Sequence, residues 1–224
     1  GKNRIRSMER VRGFESGSQE ERSSKRGDER LSDNTSDVLV RAKDLGKRFG
    51  EFIALHPLDV EVRAGEFFGV FGPNGAGKST TFKMLCGLLQ PSEGSARVVG
   101  LDLQNAPSKA RGRIGYMAQK FSLYGDLSVQ QNLDFFAGVY GLTGKSRKDA
   151  ISQMIETFGF ADRLDVNAMG LPLGYKQRLA LACAVMHEPD VLFLDEPTSG
   201  LDSYAAFNVI KILKELSKEG CAIL

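Results

Sequence analysis

The sequence predicts an α/β fold: a mostly parallel sheet flanked by helices, with an antiparallel β layer beside it. Three observations lead there. From Glu66 onward, short apolar runs alternate with helical patterns. Before that, two strand-like runs follow each other with no helix between them. A glycine-rich stretch stands where one strand run gives way to a helix. With 224 residues, the chain is long enough for one good core and a tail.

Residues 1–36 hold nine basic and seven acidic side chains but only five apolar ones, Ile5, Met8, Val11, Phe14 and Leu31. That is too little apolar surface to offset the entropy of ordering, so the stretch reads as a disordered charged linker or tail. Residues 37–224 read as one domain. Val38 to Ala42 and Leu58 to Val62 cluster or alternate apolar residues as strands do, and Glu66 to Phe71 is a short β-rich run. Further strands are expected at Ala96 to Val99, Ile114 to Met117, Val191 to Leu194 and Cys221 to Leu224. Helical periodicity runs over Ser79 to Leu89, Val129 to Tyr140, Arg147 to Phe158, Gly174 to His187 and Tyr204 to Lys218. No internal repeat is visible.

Composition removes several classes of function. Thirty basic against 28 acidic residues give a net charge of +2, without the basic excess that marks a nucleic-acid partner. Cys86, Cys183 and Cys221 are scattered with no metal-ligand spacing, which reads as reduced thiols packed as small hydrophobes. No apolar run approaches the roughly 18 residues that cross a bilayer. Any membrane part must come from another chain or another part of a longer one.

The stretch Gly72-Pro73-Asn74-Gly75-Ala76-Gly77-Lys78-Ser79 fits G-x-x-x-x-G-K-[ST], and Thr80 follows. Glycines let the backbone turn its N–H groups toward phosphate oxygens, and the next helix adds its positive end. Lys78 reaches the β- and γ-phosphates in such loops, and Ser79 places its hydroxyl on Mg²⁺. ATP and Mg²⁺ are the expected ligands. Further on, Val191-Leu192-Phe193-Leu194 delivers Asp195 and Glu196. A buried strand ending in two carboxylates can bring one to the metal, Asp195, and one to the attacking water, Glu196. Alone, this pattern would read as a strand meeting solvent; the upstream phosphate loop changes the balance.

Asp195-Glu196-Pro197-Thr198-Ser199-Gly200-Leu201-Asp202 resembles the Walker B and D-loop of ATP-binding cassette (ABC) proteins, and the likeness extends over roughly Val38 to Leu224. The resemblance implies a P-loop NTPase, RecA-like fold with a helical subdomain at about 120–172. It implies that Phe49, in Lys47-Arg48-Phe49-Gly50, stacks on adenine. It implies that Gln119, in Tyr116-Met117-Ala118-Gln119, contacts Mg²⁺ or the attacking water. The partners implied are a second cassette, identical or different, and a transmembrane permease at the cytoplasmic face of a membrane. The leading expectation is the ATP-hydrolysing motor of an exporter; the alternative is a soluble, ribosome- or nucleic-acid-associated ABC ATPase.

Some positions depart from the family pattern. Leu171-Pro172-Leu173-Gly174-Tyr175 stands where the family carries its signature loop, with Pro172 in place of the serine and Leu173 in place of the first glycine. Proline supplies neither a hydroxyl nor an N–H, so the nucleotide site completed by this loop is expected to be weakened. Such degenerate loops resemble those of drug-exporter and ribosome-associated types with tandem cassettes. Gln131 stands where the family often has Glu. The family's switch histidine would follow Cys221 to Leu224, where the sequence stops. The fragment alone is therefore expected to be a weak or inactive hydrolase. His56 and His187 read as ordinary loop and helix-end residues.

Overall fold

The computed structural model describes residues 37–73, 75–105, 107–118 and 123–224. The charged stretch 1–36, Asn74 and Gln119 lie outside the described residues. The first layer is a long hairpin. Strands β1 (Val38–Phe49) and β2 (Phe52–Arg63) pair antiparallel across the two-residue turn Gly50-Glu51. Strands β3 (Glu93–Val98) and β4 (Leu101–Asp102) extend this sheet in the order β2-β1-β3-β4. Both hairpin strands outrun their predicted lengths. In β1 the inward alternation of Val40 and Ala42 slips at Lys43-Asp44 and resumes at Leu45, because a bulge centred on Asp44 (φ 48°) inserts an extra residue. The Asp59 carboxylate accepts from the Asp44 N–H at 2.7 Å and steadies the bulge.

The second layer is parallel: β5 (Ile114–Met117), β6 (Val191–Leu194) and β7 (Ala222–Ile223), in the order β5-β6-β7. The predicted strand at Glu66 to Phe71 is reduced to one parallel bridge, Phe67 to Ile223. There the Phe68 N–H donates to the Ile223 carbonyl at 2.7 Å, and the Ile223 N–H donates to the Glu66 carbonyl at 2.8 Å. The run leaves the ladder at once to form the phosphate loop, which explains its brevity.

β6 is apolar on both faces because both faces are covered. Val191 and Phe193 point into one hydrophobic cluster with β1, β2, β3 and helix α1 (Lys78–Leu85). Leu192 and Leu194 point into another with the helices of the opposite side. That second group comprises α3 (Val129–Val139), α4 (Gly144–Phe158), α5 (Leu173–Val185) and α6 (Ser203–Lys218); a five-residue helix α2 (Pro107–Arg111) precedes β5. Leu179, Leu181 and Ala182 of α5 are fully buried. Alanines at 180, 182 and 184 let neighbouring elements close around this helix on most sides.

Capping explains several boundaries. Ser128 and Gln131 form a reciprocal capping box at α3: the Ser128 hydroxyl accepts from the Gln131 N–H, and the Gln131 side-chain oxygen accepts from the Ser128 N–H at 2.9 Å. The amide oxygen suffices there, so Gln in place of Glu keeps the cap. Asp202 caps α6 by accepting from the Ala205 N–H at 2.8 Å. Gly159 (φ 67°) ends α4. All three thiols are buried, and burial pushes Cys221 up to about 12, leaving it inert as a nucleophile.

Candidate functional site

Two strand ends bring the charged and hydroxyl side chains together. The run through Phe67 leads into Gly72 and α1, and β6 ends at Leu194, so both deliver loops at the carboxyl edge of the parallel sheet. Asp195 follows β6 and is only 7% exposed, its N–H donating to the Met117 carbonyl at 2.9 Å. The Ser79 hydroxyl donates to the Asp195 carboxylate at 2.6 Å, joining residues 116 positions apart. A buried carboxylate bonded to a hydroxyl at the start of a helix is the donor set that a hard divalent cation takes: all oxygen, with one negative charge. The residues present therefore fit Mg²⁺.

The loop has the backbone freedom its shape demands. Gly77 sits at φ 90° as the N-cap of α1. A Cβ there would stand 2.9 Å from the Ala54 carbonyl oxygen and 3.0 Å from Leu55, so only glycine fits. The Thr81 hydroxyl donates back to the Gly77 carbonyl at 3.0 Å. Lys78 lies across the loop, its ammonium donating to the Gly72 carbonyl at 2.7 Å and the Pro73 carbonyl at 3.1 Å. That posture holds a positive charge over the loop opening. Glu196 is exposed and adopts φ 57°, a left-handed conformation uncommon outside glycine. The Ser199 N–H donates to the Glu196 carbonyl at 3.1 Å, closing the turn that follows the strand.

Lys78, Asp195 and Glu196 line one open cleft of about 420 Å³ with Phe49, Phe52, Ala54, Gly75, Gly77, Ser79 and Thr80. Phe49 is 51% exposed, and the Lys47 ammonium sits 5.0 Å from its ring centre. Lys47 is fixed in turn by donating to the Gln90 carbonyl at 2.7 Å. Phe52 is the functional candidate that sequence reasoning missed. Its signal was the pairing across a two-residue turn, F-G-E-F, which puts residues 49 and 52 opposite each other.

Leu171, Pro172, Leu173, Gly174 and Tyr175 lie apart from this cleft's lining, at the start of α5. Pro172 is the N-cap and forms no side-chain cap, and the helix begins one residue before its predicted start. Leu173 presses against the turn after Glu196: a Cβ on Gly200 would lie 2.9 Å from its Cδ2. Tyr175 is flanked by guanidinium groups, with Arg163 4.5 Å and Arg178 4.1 Å from its ring centre. Hydrogen bonds from these guanidinium groups, Arg163 first, hold its phenol below the usual range.

The ABC transporter family model matches residues 55–199, which span both the phosphate loop and the Asp195-Glu196 turn. The chain belongs to the ABC transporter family. It is an ABC ATP-binding domain, and ATP is its ligand. It is 58% identical over 166 residues to the Probable multidrug ABC transporter ATP-binding protein YbhF of Escherichia coli (strain K12), covering 74% of this chain and 29% of that protein. It is 35% identical over 187 residues to the Nod factor export ATP-binding protein I of Cupriavidus metallidurans, covering 84% of this chain and 62% of that one. Among solved structures, one described as the ATP binding subunit of an ABC transporter superposes with a TM-score of 0.76 at 30% identity, covering 83% of this chain and 78% of the other. The ABC domain thus spans less than a third of the first of these relatives. Among the described residues no helix is long and apolar enough to cross a membrane.

Proposed function

We propose that this ABC domain is the ATP-hydrolysing motor of a membrane exporter, working from the cytoplasmic face as one of a pair of cassettes. The observation that carries the reading is the 2.6 Å bond between Ser79 and Asp195 in a cleft that also holds Lys78 and Glu196. One cleft thereby presents a cation for phosphate, an oxygen pair for a metal and an exposed carboxylate.

In this reading Lys78 leaves the Gly72 and Pro73 carbonyls to meet the terminal phosphates, and the amides of residues 75–79 take the oxygens at the positive end of α1. Ser79 and Asp195, with Gln119, would hold Mg²⁺, whose bound charge offsets that of the phosphates. Glu196, which lines the cleft, accepts the proton of the attacking water. Phe49 stacks on the base with the ring face that Lys47 leaves available.

The signature residues Leu171 to Tyr175 and the D-loop residue Asp202 would meet the nucleotide of the partner cassette. Contact of Leu173 with the Gly200 turn ties that surface to the loop carrying Glu196. The length of the first relative supports a tandem arrangement: 166 residues are 29% of it, so it is about 570 residues long and has room for two such domains. The permease is assigned to the segment from Gln119 to Tyr140. An exposed apolar group on that segment, Tyr124, Phe135 and Val139, with the first two rings 4.4 Å apart, supports the assignment.

Replacing Glu196 with Gln tests the motor. Assembled in its full-length transporter, the variant is expected to bind Mg·ATP with unchanged affinity while phosphate release falls by about 100-fold or more relative to the unchanged transporter. Light scattering of the ATP-loaded variant then reports the partner: a dimer points to self-pairing, and an ATP-bound monomer to a different cassette. Turnover equal to that of the unchanged chain would overturn the role given to Glu196.

A further inference from the structure

Phe52 is an aromatic side chain 68% exposed at the mouth of a cleft, where a core role is ruled out. Three features bear on its use. It is the cross-strand partner of Phe49, and directly opposed residues of an antiparallel pair project from the same face of the hairpin. Both rings line the cleft that holds Lys78, Ser79 and Asp195, and among the described residues no other aromatic side chain lines it. The turn between them, Gly50-Glu51 with Gly50 at φ 58°, is the shortest that joins two strands, so the rings stand at a fixed register. Two exposed rings on one face of the hairpin leave apolar area in water that a flat, partly apolar ligand would cover.

We propose that Phe52 is a second aromatic contact to the base of the bound nucleotide, acting beside Phe49 as one of two walls of a base clamp. Directly opposed strand residues hold their Cβ atoms about 5 Å apart. A small outward tilt of the rings then opens the space of one stacked base. Lys47 already occupies one face of Phe49, so that ring offers the base a single face, and the second wall falls to Phe52. The ligand class this favours is the larger purine nucleoside triphosphate, since both rings gain contact with base area. The inference rests on the cleft's being the nucleotide site, and the experiment separates the two.

The sequence contains no tryptophan, so Phe52→Trp and Phe49→Trp each introduce a lone indole into the full chain. Emission of each is followed on titration with Mg·ATP and with Mg·tripolyphosphate, which carries the phosphates without a base. The expected result is quenching of both indoles by ATP and of neither by tripolyphosphate. In a parallel titration by calorimetry, Phe52→Ala weakens ATP about tenfold and leaves tripolyphosphate unchanged. Quenching at position 49 with none at 52 overturns the clamp while sparing the nucleotide site. Equal weakening of ATP and tripolyphosphate by Phe52→Ala also overturns it, because the residue would then act on the loop and not on the base. Absence of ATP binding by the unchanged chain would sink the nucleotide reading itself.

Discussion

Ser79 and Asp195 meet across 116 positions of the chain, and the sequence singles out both, with Lys78 and Glu196, as candidate site residues. Their legibility comes from backbone chemistry: a loop that must wrap phosphates needs glycines at fixed spacing, and a buried strand announces where its carboxylates emerge. Gly77 carries the strictest version of that demand. Gly77→Ala forces a side chain into φ 90° and to within 2.9 Å of the Ala54 carbonyl. It is expected to cost roughly 1–3 kcal/mol of stability, and to weaken ATP by more than tenfold. Urea denaturation and a nucleotide titration check the two parts. Phe52 went unremarked because a single phenylalanine in a strand is ordinary; only the two-residue turn of F-G-E-F, read as a hairpin, sets it opposite Phe49. Gln119 and Asn74 fall outside the described residues.

Helices α3, α5 and α6 follow their periodic cores to within a residue or two of the predicted ends, whereas α1 is shorter and α4 longer than periodicity suggests. α1 stops at Leu85 because the chain turns at Gly87 (φ 66°), and its last periodic residues, Leu88 and Leu89, belong to that turn. α4 gains a first turn, Gly144 to Ser146, that shows no apolar repeat; Arg147 then pins it to α3 by pairing with Asp134 at 2.9 Å. Strand β4 and helix α2 went unseen, being too short to carry a period. At this scale the capping box of α3 is the testable feature. Ser128→Ala removes the acceptor of the Gln131 N–H and is expected to destabilise the fold by about 1 kcal/mol, read from the urea midpoint. Gln131→Glu should leave stability nearly unchanged, since a carboxylate can accept the same Ser128 N–H.

Two hydrophobic clusters meet across β6, and His187 is a staple between helical and sheet layers. Its ring stacks on Tyr140 beyond α3, with centroids 3.6 Å apart and planes at 11°. Its Nε2–H donates to the Ile114 carbonyl of β5 at 3.1 Å, a bond that fixes the neutral tautomer. Burial pushes its pKa down to about 4, with the Ile114 carbonyl opposing the shift. In the unfolded chain the same ring titrates near 6.5. Between those values the unfolded state binds a proton that the folded state excludes. Stability is therefore complete above pH 6.5 and is lost as the pH falls toward 4, by about 2 kcal/mol at pH 4.5. His187→Phe keeps the stack but removes the titration. Comparing urea midpoints at pH 7 and 4.5 should show a smaller acid loss in the variant; an identical loss would assign the acid sensitivity to other groups. The sequence reading of His187 as an ordinary helix-end residue matched its place but missed its contacts, because the Tyr140 and Ile114 partners are set by packing and by no local spacing.

The single bridge from Phe67 to Ile223 also bears on how the protein is made. The backbone that leads into the phosphate loop finds its sheet partner 156 residues further along the chain, and only one bridge joins the two. At a synthesis rate of about 5–20 residues per second, the ribosome spends roughly 8–30 seconds between the two segments. During that interval the hairpin β1–β2 can form from neighbouring residues, while the loop after Phe71 has no sheet edge to rest on. A nascent chain therefore cannot use ATP to stabilise its first half. The nucleotide becomes a folding ligand only after translation has passed β7, which makes occupancy of the cleft a report that the Phe67 and Ile223 segments have met.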